Sequence, residues 1–195
     1  MDCSKVGKLI LELRTEKGMT QKELANAMNI SDRTISKWER GLGCPDVSLL
    51  SELSQALSVN IEKILSGDLT PNEKDRGDMK KIRFYVCPTC GNVLFSTSEA
   101  DISCCGRRLA MLDIRKEGAG HSMVVEEIEN DYFVTIDHEM SKAHYISFVA
   151  LAGYDSILLI KMYPEWNAEI RFPQVRGDRL FAYCVKHGLW EQKVK

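Results

Sequence analysis

A change of texture near residue 67 constrains this chain more than any single motif. Up to about residue 66, apolar residues recur with a 3.6-residue period between helix-capping residues, as on helices with one buried face. From Phe84 onward they come in short runs rich in β-branched and aromatic side chains: Tyr132–Ile136, Tyr145–Val149, Ile157–Ile160, Ile170–Phe172 and Leu180–Tyr183. Gly, Asn, Asp and Pro separate these runs, the pattern of an antiparallel sandwich or barrel. Between the two textures, residues 67–81 are charged, carry Pro71 and Gly77, and lack apolar periodicity, so they read as a linker. At 195 residues the chain is long enough for two small domains.

The first part predicts five helices, over residues 1–66. Val6, Ile10, Leu11 and Leu13 form the inner face of the first, which stops at Gly18. Thr20 caps the second, with Glu23 completing a capping box. Ser31 caps the third, Asp32 to Arg40, and Gly41 ends it where a left-handed residue costs least. Pro45 and Asp46 start a fourth, with Leu49, Leu50, Leu53 and Leu57 inward, and Asn60 caps a fifth that ends near Leu65.

The strings TQKELA, SDRTISKWERG, PDVSLLSELSQAL and VNIEKIL stand in the order of the phage-repressor-like (Xre-type) helix-turn-helix family, which residues 6–66 resemble. The resemblance implies that the third helix enters the DNA major groove by its N-terminal end. Carried over position by position, Asp32, Arg33, Thr34 and Lys37 would face base edges, while Gln21 and Arg40 would contact phosphates. Arg14 stands where the family pairs an arginine with the counterpart of Glu39, and Ile35 and Trp38 should be core. Residues 1–70 hold 9 Lys/Arg against 10 Asp/Glu, so the basic footprint is local, around Lys22, Arg33, Lys37 and Arg40.

The whole-chain net charge of −2 gives no general pull toward nucleic acid or anionic lipid. No apolar run approaches the roughly 20 residues of a membrane span, and the amphipathic N-terminus does not read as a secretory signal. A cytoplasmic protein keeps its thiols reduced, so the seven cysteines are expected to be metal ligands or free thiols. Four of them form a set. Cys87-Pro-Thr-Cys90-Gly91 is a knuckle that aims two sulfurs at one ion, and Cys104-Cys105-Gly106 offers the second pair after thirteen residues. Four thiolates suit Zn or a mononuclear Fe(Cys)4 centre, and ligand type does not choose between them. Cys3 and Cys44 lie outside any such spacing and are expected to be free thiols.

All four histidines, His121, His138, His144 and His187, lie in the last 75 residues, and His187 stands three positions after Cys184. Four imidazoles and a thiolate exceed a closed tetrahedral zinc site. They suit a metal accepting five or six ligands, iron or copper before magnesium or calcium.

The order CPTCGN, CCG, His121, HEMSKAHYI and CVKHGLW, from Phe84 to Trp190, resembles desulfoferrodoxin, the two-centre superoxide reductase family. The resemblance implies a multidomain chain. An all-α five-helix domain (1–66) and the linker precede a small rubredoxin- or zinc-ribbon-like four-Cys module over 82–115. An all-β immunoglobulin-like sandwich follows over 116–195. It implies Fe(Cys)4 at Cys87, Cys90, Cys104 and Cys105. It also implies Fe(His)4(Cys) at His121, His138, His144, His187 and Cys184, with the thiolate axial and the opposite position open to superoxide. Two departures stand out. Lys116-Glu117-Gly118-Ala119-Gly120 precede His121 where the family has Glu-Lys directly before its first ligand, and Glu139 replaces the proline after the second.

The combined expectation is a DNA-binding transcriptional regulator whose iron domain senses superoxide, another small oxidant, redox state or iron. It would work as a homodimer on double-stranded DNA, away from membranes. The alternatives are a superoxide reductase carrying a DNA-binding appendage and a metal-stabilised module that supports dimerisation.

Overall fold

The computed structural model describes residues 2–69, 79–115, 121–175 and 179–194. The segment Lys116 to Gly120, and most of the expected linker, lie outside the described residues. The chain divides into two compact units, residues 1–71 and 72–195. Among the described residues, no helix is long and apolar enough to cross a membrane.

The first unit holds α1 (Cys3–Glu16), α2 (Gln21–Ala27), α3 (Asp32–Glu39), α4 (Leu50–Leu57) and α5 (Ile61–Ser66). Local chemistry sets most of the ends. Asp2 accepts from the amides of Ser4 and Lys5, Thr20 and Glu23 close the expected capping box, and Ser31 accepts from Thr34 N. Asp46 caps a 3-10 turn, Val47–Leu49, that runs into α4. Asn60 starts α5 without a side-chain cap bond. Leu9, Ile10, Leu24, Ile35, Trp38, Leu53, Leu57 and Ile64 fill one core. Leu11 is not part of it. At 40% exposure it faces solvent, and Leu9 takes the inward place.

Helix α1 lies directly on the end of α3. A Cβ built at Gly7 would stand 2.0 Å from the carbonyl oxygen of Trp38, so only glycine permits the approach. This contact corrects the expectation for two cysteines. Cys3 and Cys44 are joined by a disulfide, with Cα atoms 4.9 Å apart. Spacing along the chain and a reducing compartment both point to free thiols, whereas the α1–α3 packing brings two residues 41 apart in sequence to bonding range.

The second unit opens with the hairpin β1 (Arg83–Val86) and β2 (Val93–Ser96), then the short pair β3 (Ser103–Cys104) and β4 (Arg107–Arg108). β5 (Ile114–Arg115), β6 (Met123–Ile128), β7 (Asp131–Ile136), β8 (Ile146–Ala152), β9 (Ile157–Lys161), β10 (Glu169–Pro173), β11 (Arg179–Cys184) and β12 (Gly188–Lys193) build a sandwich. Its sheets are ordered β5-β12-β11-β8-β9 and β10-β7-β6. All neighbours are antiparallel except β5 and β12. All seven residues of β8 are buried because the larger sheet is covered on both faces. Val149, Leu151, Leu180 and Ala182 pack toward the smaller sheet with Val134, Ile170 and Phe172. Phe148, Ala150 and Phe181 pack on the other side against Phe84 of β1. The four-cysteine module therefore shares a core with the sandwich, through Phe84 rings 5.3 Å from Phe148 and 5.1 Å from Phe181.

Candidate metal centres and DNA-facing helix

Helix α3 carries two opposed sets of side chains. Ile35 and Trp38 are buried, as the helical period requires, and Asp32, Arg33, Lys37 and Arg40 are exposed on the other side. Thr34 is half-buried, its hydroxyl 2.9 Å from that of Ser31. Glu39 anchors the helix from inside. Arg14 donates to it from Nε (2.5 Å) and Nη2 (3.1 Å), and also to the carbonyl of Met19. This fork raises the Arg14 pKa, chiefly through its hydrogen bond to Glu39. The Gln21 amide donates to the same carboxylate at 2.6 Å, so that side chain is held at the α2–α3 junction. Arg40 folds back onto the carbonyl of Ser36.

The four cysteines converge. Their sulfurs lie within 4.8 Å of one another, brought together by the β1–β2 and β3–β4 turns. Cys87 is buried at the end of β1, its amide donating to the carbonyl of Asn92. The backbone amide of Cys90 is the main cause that lowers the Cys87 pKa to about 6. Cys105, hydrogen-bonded by Cys90, Cys87 and Cys104, is pushed up to about 12. One thiolate forms readily here and the last is strongly resisted, because hydrogen bonds with Cys90, Cys87 and Cys104 favour the protonated form of Cys105. A cation at that point removes the conflict, which is the behaviour of a metal site.

The second set comes from four places. Leu180 and Ala182 of β11 face the sandwich interior, and Cys184 continues that alternation as the buried last residue of the strand. A bulge between Tyr183 and Cys184 sits beside it. The tight β11–β12 turn returns His187, and the amide of Lys186 donates to Cys184 Sγ at 3.4 Å. His138 and His144 flank the β7–β8 connection. His121 precedes β6, where Gln192 bonds both the amide and the carbonyl of Met123. Trp190 stacks on the His121 ring at 3.8 Å.

The donor atoms of His121, His138, His144, Cys184 and His187 all lie within 4.8 Å of one another. His187 Nδ1 is 3.1 Å from both His121 Nε2 and His144 Nε2, and 3.7 Å from Cys184 Sγ. Nitrogens at about 2.1 Å from a common ion and at right angles would be about 3.0 Å apart, so the spacing fits a shared metal. His138 Nε2 is buried and, among the described residues, has no hydrogen-bond partner. Burial lowers the pKa of both His138 and His187, favouring the neutral ring that can donate a lone pair. The residues present fit a metal with five protein ligands.

The nine expected ligands thus fall into two clusters of four and five. Trp190, Gln192 and Glu139, which orient or support ligands, were not among the expected site residues. The indole on the strand that follows His187 is a signal for the first, but nothing local marks Gln192.

Comparison with known proteins separates the two units. Residues 10–64 match the helix-turn-helix family. The uncharacterised HTH-type transcriptional regulator y4dJ of Sinorhizobium fredii is 42% identical over 73 residues, covering 36% of this chain and 95% of that protein. Through its N-terminal unit, the chain belongs to the helix-turn-helix transcriptional regulators. The HTH-type transcriptional activator BcrR of Enterococcus faecalis is 41% identical over 78 residues, and the chain spans only 38% of its length. The C-terminal part matches a different kind of protein. Desulfoferrodoxin of Clostridium acetobutylicum is 23% identical over 121 residues, covering 58% of this chain and 97% of that protein. The superoxide reductase of Treponema pallidum aligns with a TM-score of 0.52 at 20% identity, covering 57% of this chain and 98% of that one. A helix-turn-helix unit is followed here by a superoxide-reductase-like fold.

Proposed function

We propose that this helix-turn-helix regulator binds double-stranded DNA through α3 and is governed by iron held in its C-terminal unit. The observation that carries the reading is the presence of both donor sets, complete, in a chain whose other unit is a transcriptional-regulator domain. In the DNA-facing role, Asp32, Arg33, Thr34 and Lys37 read base edges, and Gln21 and Arg40 lie near phosphates. A Gln21 contact would require its amide to leave Glu39. Cys87, Cys90, Cys104 and Cys105 hold Fe or Zn, and His121, His138, His144, His187 and Cys184 hold iron. Bound there, iron supplies one-electron chemistry toward superoxide or another small oxidant. The chain's own part is to bury Cys184, to donate the Lys186 amide to its sulfur, and to hold the His121 ring against Trp190. A homodimer in the cytoplasm suits the regulator role, and there the Cys3–Cys44 bond would form only under oxidising conditions.

Metal analysis with visible absorption, followed by DNA binding of the oxidised, reduced and metal-free full-length protein, tests this reading. A difference in affinity among the three forms is expected, and equal affinity for all three would sink the sensor. The superoxide-reductase-like fold supports a second reading, an enzyme with a DNA-binding domain. Rapid, repeated superoxide consumption by the reduced protein with an added reductant would favour it.

A further inference from the structure

The residue after His138 serves two imidazoles at once. The backbone carbonyl of Glu139 accepts from His138 Nδ1 at 2.5 Å, and its side-chain Oε2 accepts from His144 Nδ1 at 2.6 Å. Each bond sets the tautomer, placing the proton on Nδ1 and leaving Nε2 as a lone pair. Those two Nε2 atoms are the ones directed into the five-donor cluster. His138 Nε2 is buried and without a partner among the described residues, and His144 Nε2 is 3.1 Å from His187 Nδ1. Any residue at this position could supply the carbonyl. The carboxylate is what this chain adds, where the desulfoferrodoxin pattern has proline. Ser141 hydrogen-bonds the same carboxylate, which helps hold it toward His144.

We infer that Glu139 is a positioning residue that acts through His144, orienting that ring and biasing iron in the five-donor site toward its ferric form. An anionic acceptor on Nδ1–H draws the proton away from the ring and raises the electron density of Nε2. A more basic ligand set stabilises the higher metal charge more than the lower, so second-shell hydrogen bonding is a lever on reduction potential. This inference rests on the iron reading of the five residues.

The test uses full-length wild type, E139Q and E139A, loaded anaerobically with ferrous iron. Truncation should leave the fold intact, because the Glu139 side chain is 58% exposed and leaves no buried void. Circular dichroism checks this, and the near-isosteric E139Q carries the comparison if E139A is unstable. A redox titration followed by visible absorption should show both variants with a higher midpoint potential, E139A more than E139Q. A tenfold change in the ferric-to-ferrous ratio corresponds to 59 mV for this one-electron couple. Iron affinity, measured by competition with a chelator, should fall about 10- to 100-fold. Folded variants with wild-type potential and wild-type affinity overturn the inference. If the wild type itself takes up no iron at this cluster, the iron reading fails first and the inference with it.

Discussion

At the scale of single residues, Glu39 carries the most consequence in the N-terminal unit. Its side chain is 4% exposed and its two oxygens serve Arg14 and Gln21. E39A would leave the Arg14 guanidinium, itself only 13% exposed, without its counter-ion. A loss of about 3 kcal/mol or more is expected, read as the urea midpoint of the full chain. Arg33 and Lys37 should behave differently, since both are exposed and neither supports the core. R33A and K37A should weaken DNA binding while leaving stability within about 0.5 kcal/mol. Base contacts by Arg33 and Lys37 each show as a relaxed preference at one base pair, whereas loss of a phosphate contact would lower the salt slope of log K by about 1. The Arg14–Glu39 pair was legible in sequence because the family pattern carries it. The role of Glu139 was not, because a hydrogen bond to a residue five positions on depends on how the β7–β8 connection folds.

At the scale of elements, the α1–α3 contact decides the geometry of the DNA-facing helix. G7A would drive a methyl group against the Trp38 carbonyl, so α1 must move off α3. A marked fall in thermal stability and in DNA affinity together is the expected outcome. The Cys3–Cys44 disulfide closes a loop of 41 residues between the same two regions. Chain-entropy arithmetic gives such a crosslink about 4 kcal/mol, so reduction should lower the unfolding midpoint of the first unit. C3S should reproduce the effect and become insensitive to reductant. Helix positions were readable from period and caps because those are local. Leu11 shows the limit: it falls within the apolar stripe, but the neighbouring helices cover Leu9 instead. In the second unit, β6 and β12 carry a weak strand signal in sequence because Met123–Ile128 and Gly188–Lys193 mix charges with their apolar residues.

At the scale of the molecule, one chain carries two units of different architecture, and both candidate metal-binding clusters lie wholly in the second. The five-donor set is gathered from segments up to 66 residues apart and the four cysteines from two separate turns, so metal removal should act as loss of a ligand bound only by the folded state. With free metal at 1,000 times its dissociation constant, binding adds about 4 kcal/mol, which chelation removes. Calorimetry of loaded and chelated protein should show the C-terminal transition move to lower temperature. Loading should release protons in unbuffered solution, since Cys105 is held protonated near pH 7 and must lose its proton to ligate.

The order of helices and strand-rich runs, the two ligand sets and their assignment to separate clusters could be read from residue types and spacing. Periodicity and ligand chemistry are properties of the chain written in one dimension. Whether the nine ligands meet could not be read there. Cys184 and His187 are three residues apart, but His121 reaches them across 66 residues through the pairing of strands and the stacking of Trp190. The Cys3–Cys44 bond and the double role of Glu139 belong to the same class. They depend on which backbones approach within a few ångströms, and packing of the whole unit, rather than any local preference, sets that distance.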